Sequence, residues 1–388
     1  MGIAARRATI MQRQRSNVRD WVRNNNTARR IATTLLMLGI ALIKAVPPLR
    51  RMVPTQVRLF AQSWDWEMLR SAITSFGSRI YIDQPCVMPD PPTWQPLAEV
   101  DEQWRLSEDQ IRSFYENGFL GPLTLCSREE MISLREQVWA EIEQPSKTYG
   151  FVTGRDRHLD CPAVWDLIKR PEWTERLAQL LGPNLQLWRS QLFLKEPGAP
   201  EVTWHQASTY LSEEGYKATL WPTDRNELFQ LTTWIAFDDV DYDNGNMQFV
   251  KGSHRRINTA HIGAKDGGGF ARTRFKLEAD ITDDKVVNMP MQAGQFVIFS
   301  ERCIHGSPPN ASTDRRRWGM AFRTIKPSVK VYDTELRHHV MYLREEYSLE
   351  NWGAVVLRGE DDAGVNRLTQ PPSAGAASSA EPPLQAAV

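Results

Sequence analysis

The chain has 388 residues, 41% hydrophobic and 24% charged, a composition that supports a sizeable buried core and excludes a generally disordered protein. Lys plus Arg and Asp plus Glu number 47 each, so the overall balance gives no reason to expect a nucleic-acid partner. The distribution is uneven: residues 1–60 hold eleven Arg and Lys44 against the single acid Asp20, which leaves the remainder at about −11.

Within this basic region, "IATTLLMLGIALI" (31–43) is an apolar run between Arg29-Arg30 and Lys44, shorter than the roughly 20 residues of a membrane span. Three readings stand: a helix packed on the body or a partner, an interfacial membrane helix with flanking Arg at lipid phosphates, or a signal peptide. No convincing small-residue cleavage site follows it. Residues 61–104, with Trp64, Trp66, Trp94 and the proline-rich "MPDPPTWQP", read as an extended linker that closes an N-terminal extension over 1–104.

A main domain over 105–369 is expected to open with a helix. In "LSEDQIRSFYENGFLGPL" Ser107 is its cap, Gln110 the capping-box partner, and Ile111, Phe114 and Tyr115 stand at helical spacing. Ser127 caps a second helix over 127–142, and 170–184 is a third, ended by Gly182-Pro183. From residue 185 the period changes to short aromatic and branched runs, "LQLWRSQLFL", "LTTWIAFDDV", "NMQFVKGS", "QFVIFS" and "RWGMAFRTI", separated by turn signals such as Asn244-Gly245. Helices followed by a block of strands predict an α+β fold, an antiparallel sandwich or jelly roll with helices packed outside. The end, 370–388, has almost nothing to bury and reads as a disordered tail. Cys86, Cys126, Cys161 and Cys303 lie far apart, which suggests neither a zinc site nor a disulfide framework and fits a reducing, cytoplasmic setting.

Of seven histidines, two stand out. His205 follows Trp204 in "VTWHQASTYL", and His305 ends "AGQFVIFSERCIHGSPPN", where an apolar strand runs into a turn. Non-heme iron oxygenases hold Fe(II) with two His and one carboxylate. In a strand, residues i and i+2 share a face, so position 207 is where a carboxylate would stand. It is Ala207, which has no ligating atom. A small anion, of which chloride is the abundant candidate, would fill the vacancy and compensate the charge. The alternatives are a scaffold that has lost its metal, or an iron shell completed by water or a distant acid such as Glu213.

The sequence resembles the Fe(II)/2-oxoglutarate chlorinating enzymes of the syringomycin-biosynthesis type, within the phytanoyl-CoA dioxygenase-like superfamily. "LSEDQIRSFYENGFLGP", "WHQASTY", "LTTWIAFDDVDYDNGNMQFVKGSH", "MQAGQFVIFSERCIHGS", "RWGMAFR" and "SLENWGAVVLRGEDDAGVNRL" carry the likeness, from about Leu106 to Leu368. It implies a double-stranded β-helix core, cupin-like, with flanking helices; the N-terminal extension, outside the resemblance, is expected to be helical. His205 and His305 correspond to the iron ligands, and Ala207 to the position where chloride replaces the carboxylate. Arg317 matches the arginine that grips the far carboxylate of 2-oxoglutarate, and Trp234 and Thr232 match residues beside that co-substrate. Arg323 matches the arginine on the chloride side; Tyr210 borders the halide; Ser212 and Gln191 face the substrate side, with Gln191 also near the co-substrate. Such enzymes use O2 and 2-oxoglutarate to abstract hydrogen from an unactivated carbon, which then collects chlorine. Their substrates are aminoacyl groups tethered to a carrier protein, so a carrier-tethered or small-molecule substrate is expected here. The basic extension, residues 1–60, adds docking to a membrane or synthase, with peripheral membrane association, to the expectations. A hydroxylase of the phytanoyl-CoA dioxygenase type and a non-catalytic binding protein are the competing readings.

Overall fold

A computed structural model of the chain describes residues 25–91, 93–206, 218–262, 275–332, 338–342 and 345–372. Capping chemistry sets the main helices where the sequence places them. The Ser107 side chain accepts from the Gln110 amide at 3.2 Å while the Gln110 side chain accepts from the Ser107 amide at 2.9 Å, and the helix Glu108–Asn117 follows. Two backbone donors that the helix cannot satisfy are thereby bonded. It stops at Gly118, φ 89°, where an added Cβ would come 2.5 Å from the His254 ring. Glycine there allows both the left-handed turn and the packing of that histidine. Ser127 caps Arg128–Ile142, and Pro171 occupies the first turn of Pro171–Leu181.

The strands form two main antiparallel sheets. The larger has six strands in the order Val355–Arg358, Leu185–Lys195, Arg317–Ile325, Gln230–Ala236, Gln295–Phe299 and Phe119–Thr124; the smaller has four, Val286–Met289, Met247–Val250, His305–Ser307 and Val202–His205. Alternation along Arg317–Ile325 divides the interior. Trp318, Met320 and Phe322 belong to the large cluster formed with the helices, where Trp173 stacks on Phe322 and Trp139 meets Trp318 edge-on. Truncating Trp173 or Trp318, both fully buried, to Ala would cost about 3–5 kcal/mol. Ala321 faces the other way, into a cluster with Trp234, Phe299, Met247 and Phe249 drawn from both sheets. Arg317, Gly319 and Arg323 share that second face, so the strand pattern delivers charged groups into the space between sheets.

The segment 61–104 departs from the extended linker expected. Asp65 caps a helix, Trp66–Thr74, by accepting from the Met68 amide at 2.9 Å. Trp64, Met68, Leu69 and Ala72 are buried with Met37, Ile40 and Ile80 in a third cluster, and a strand, Arg79–Tyr81, pairs antiparallel with Thr259–Ile262. Burial of Trp64 and its helical-spaced neighbours outweighs the proline signal, which governs only the later part: the described residues of 85–101 carry no helix or strand. The apolar run 31–43 lies in the helix Asn26–Ala45. No described helix is long and apolar enough to cross a membrane. All four cysteines are free. Residues 373–388 of the expected tail lie outside the described residues.

Candidate active site

His205 ends one strand of the four-stranded sheet and His305 begins its neighbour; the register sets them directly opposite one another. Directly opposed residues of an antiparallel pair bring their side chains together, and the two rings lie with centroids 4.2 Å apart. Each ring is oriented the same way: Nδ1 of His205 donates to the Thr203 carbonyl at 2.8 Å, and Nδ1 of His305 to the Cys303 carbonyl at 2.7 Å. With the proton on Nδ1, Nε2 carries the lone pair of a metal ligand. Burial pushes both rings below the ordinary histidine range, His305 further because His205 adjoins it. Neutral imidazoles of fixed tautomer are the donors Fe(II) takes, so the pair fits the metal.

Gln206, buried next to His205, anchors this strand end. Its amide donates to the carbonyls of Ser253, Arg256 and Arg302, and its oxygen accepts from the Asn258 amide. Sequence reading passed over it, since an isolated Gln carries no signal of its own. Ala207, Tyr210, Ser212 and Glu213 lie outside the described residues. Among the described residues no group of three His, Cys, Asp or Glu is arranged to hold a metal.

The cavity beside the histidines is walled by both sheets, with Thr232, Trp234, Arg317 and Arg323 from the larger. Arg317 is 3% exposed and donates to the Gly245 carbonyl at 2.7 Å, in the Asn244-Gly245 turn anticipated from sequence. Its guanidinium lies 5.4 Å from the Trp234 ring. Burial lowers its pKa to about 10, which leaves it a cation at neutral pH. Gly319 makes room for this arrangement: a Cβ there would stand 1.9 Å from a Trp234 ring carbon. A second cation, Lys195, sits directly across from Arg317 in the strand register and donates to Ser307 Oγ at 2.8 Å. Burial, then Arg317, brings its pKa down to about 7. The buried Arg317 cation and the Ser307 hydroxyl, both lining the cavity, make it fit for a carboxylate ligand, with Lys195, only partly protonated at neutral pH, bonded behind Ser307.

Arg323 has an acidic partner. Its Nε lies 2.9 Å from Glu301 Oε1, and Thr232 also donates to Glu301. Desolvation raises the pKa of Glu301, partly offset by Arg323. The cavity wall thus holds an acid, in "FSERC" just before His305, whose only sequence signal was a charge interrupting an apolar run. Gln191 is on the same face of its strand as the wall residue Phe193, but its amide donates to the Leu192 carbonyl and it does not line the cavity. The two arginines next to Arg317 point elsewhere. Arg315 pairs with Asp241 at the surface, and Arg316 lies over Trp139.

Two other histidines are structural. His158 hydrogen-bonds Ser190 Oγ at 2.8 Å through Nδ1, and His254 Nε2 donates to the Tyr115 carbonyl at 2.9 Å. Burial lowers both to about 4. Below pH 6.5 the unfolded chain takes up protons that the folded chain refuses, so their contribution is complete above that pH and falls away toward pH 4. The unfolding free energy from urea titration is expected to drop steadily between pH 6.5 and 4.5, by on the order of a few kcal/mol for this pair, with the depressed His205 and His305 acting in the same direction. Paired carboxylates such as Asp239 and Asp241, held below the usual range, titrate lower. An unfolding free energy constant across that window would contradict the assignment.

Opposed histidines and a buried arginine lining one cavity, between antiparallel sheets with helices outside, suit an iron and 2-oxoglutarate oxygenase. The profile described as Phytanoyl-CoA dioxygenase (PhyH) matches residues 114–318: the chain belongs to this family. It is 26% identical over 231 residues, 54% of this chain and 76% of the relative, to a probable alpha-ketoglutarate-dependent hypophosphite dioxygenase of Stutzerimonas stutzeri. It is 25% identical over 235 residues, 53% of this chain and 71% of the relative, to the ectoine dioxygenase of Bordetella bronchiseptica. Among solved structures, CytC3 with Fe(II) and alpha-ketoglutarate is similar at 28% identity and TM-score 0.56, covering 69% of this chain and 94% of that one. The protein is accordingly an oxidoreductase of the Fe(II)/2-oxoglutarate type, with O2 as the fitting oxidant.

Proposed function

We propose that this enzyme chlorinates an unactivated aliphatic carbon, with His205 and His305 as the protein ligands to iron and a halide beside Ala207. What supports the reading is one combination: two histidines opposed across a strand pair, followed at the i+2 position by a residue that ligates nothing. Iron and 2-oxoglutarate, when bound, supply the oxygen chemistry that removes hydrogen from carbon. The protein's own part is to bind and to exclude. Arg317 holds the far carboxylate of 2-oxoglutarate against Trp234, with Thr232 beside it. Arg323 and Glu301 form a neutralised pair in the wall, so Arg323 would favour a halide through orientation more than through net charge. Apolar Phe193, Phe299 and Met247 keep water from the reacting space. We read the sheet pair as a double-stranded β-helix and take the substrate to be a carrier-tethered amino acid or acyl group, on the strength of the sequence resemblance.

Hydroxylation is the second reading, and the curated relatives favour it, since they are named as dioxygenases. The two separate in one experiment. Anaerobic titration with Fe(II) and 2-oxoglutarate, with and without chloride, is expected to give a charge-transfer band that shifts with chloride. Binding indifferent to chloride would overturn halogenation in favour of hydroxylation.

A further inference from the structure

The helix Asn26–Ala45 is about 30 Å long and has two apolar faces. Met37 and Ile40 are buried against Trp64, Met68, Leu69 and Ile80. The other face is bare: Ile31, Leu35, Leu38 and Leu42 are 46–63% exposed and recur at i, i+4, i+7 and i+11, one stripe of a helix. Phe76 extends it. This side chain lines a groove with Arg30, Ile31 and Leu35 and is 71% exposed, although its backbone φ of 51° is a strained one for a bulky residue. The turn is held there by Arg30, which donates to the carbonyls of Phe76 and Ser75, and by Gly77, where a Cβ would strike the Arg30 carbonyl at 2.4 Å. A strained conformation that presents a phenyl ring to solvent beside a leucine stripe marks a surface shaped for contact.

The charges beside the stripe choose the partner. Residues 25–64 carry six cations, Arg29, Arg30, Lys44, Arg50, Arg51 and Arg58, and no acid. Five of them stand at the ends of the stripe, Arg29 and Arg30 at the start of the helix, Lys44, Arg50 and Arg51 at its end, with Lys44 donating to the Ala61 carbonyl; Arg58 lies in a later helix, Thr55–Ser63. Arg50 donates to the carbonyls of Ile43 and Lys44 and so fixes the following turn at the helix end. A second copy of this chain would bring like charges together across a two-fold interface. A bilayer with anionic headgroups would instead take the leucines among its acyl chains and the arginines at its phosphates.

We infer that the Asn26–Ala45 helix and Phe76 seat this enzyme on an anionic lipid surface. The helix lies in the interface plane with its second face still packed on the body.

The test is flotation of the full chain with vesicles of phosphatidylcholine alone or with about one third phosphatidylglycerol. Flotation is expected with the anionic vesicles, weakened by salt, and slight with the neutral ones. Leu35→Ser, Leu38→Ser and Leu42→Ser together are expected to reduce binding at least about tenfold with the melting temperature unchanged, because the side chains are exposed. Phe76→Ser, outside any helix, gives an independent reduction should the triple variant fold poorly. Absence of flotation with anionic vesicles overturns the inference, as does undiminished flotation of both variants. Concentration-dependent dimers that the variants abolish, without flotation, would assign the stripe to a second copy instead.

Discussion

Replacing Ala207 by aspartate is expected to retain Fe(II), remove every dependence on chloride and abolish chlorinated product. Position 207 lies two residues past His205, and residues so spaced share a face when a strand continues. The carboxylate would therefore take the coordination position that a halide otherwise takes, and would compensate the metal charge itself. Iron content, succinate formation and product mass with and without chloride separate the outcomes. Hydroxylated product from Ala207→Asp would show that the substrate carbon also lies within reach of the oxygen side. Succinate formed without altered substrate would show that it is placed for the halide alone. Chlorination by Ala207→Asp at the parent rate would sink the proposal, since the halide would then bind elsewhere and the alanine would be incidental.

The parts of this site legible in the sequence are those with a local cause. His305 shows itself as the histidine between an apolar run and Gly-Ser-Pro-Pro, although that run is a strand ending at Phe299 and His305 begins a separate strand of the smaller sheet, and the Ser107–Gln110 cap shows itself because its partners are three residues apart. Arg317, at the head of an apolar strand, is singled out only through the family resemblance. What stayed hidden depends on register between distant strands. Lys195 at a strand end looks like a solvated lysine until it is paired with Arg317. Arg323 is named through the resemblance, yet its partner Glu301 lies just past the end of a different strand two places across the sheet. Residues 61–104 misled for another reason. Proline clusters announce themselves strongly, whereas Trp64, Met68, Leu69 and Ala72 reveal a helix only once Met37 and Ile40 supply a surface to bury against.

Arg317→Ala is expected to weaken 2-oxoglutarate binding by roughly 2–5 kcal/mol, about 30-fold to several-thousand-fold in Kd, because truncation leaves a desolvated carboxylate without its charged partner. Iron binding should survive, since His205 and His305 are positioned by their own strand pair and the His205 strand end is anchored by Gln206. Arg317→Lys should recover only part of the loss: an ammonium keeps the charge but gives up the planar fork that matches a carboxylate and packs beside Trp234. Calorimetric titration of 2-oxoglutarate into the Fe(II)-loaded variants, under argon, reads the difference directly. Unchanged affinity in Arg317→Ala would remove the clamp from this residue. The role would then not pass to Arg315, which pairs with Asp241, or to Arg316, which covers Trp139. It would pass to Lys195, the cation across the register that already bonds the cavity-lining Ser307, and Lys195→Met would then show the loss that Arg317→Ala did not.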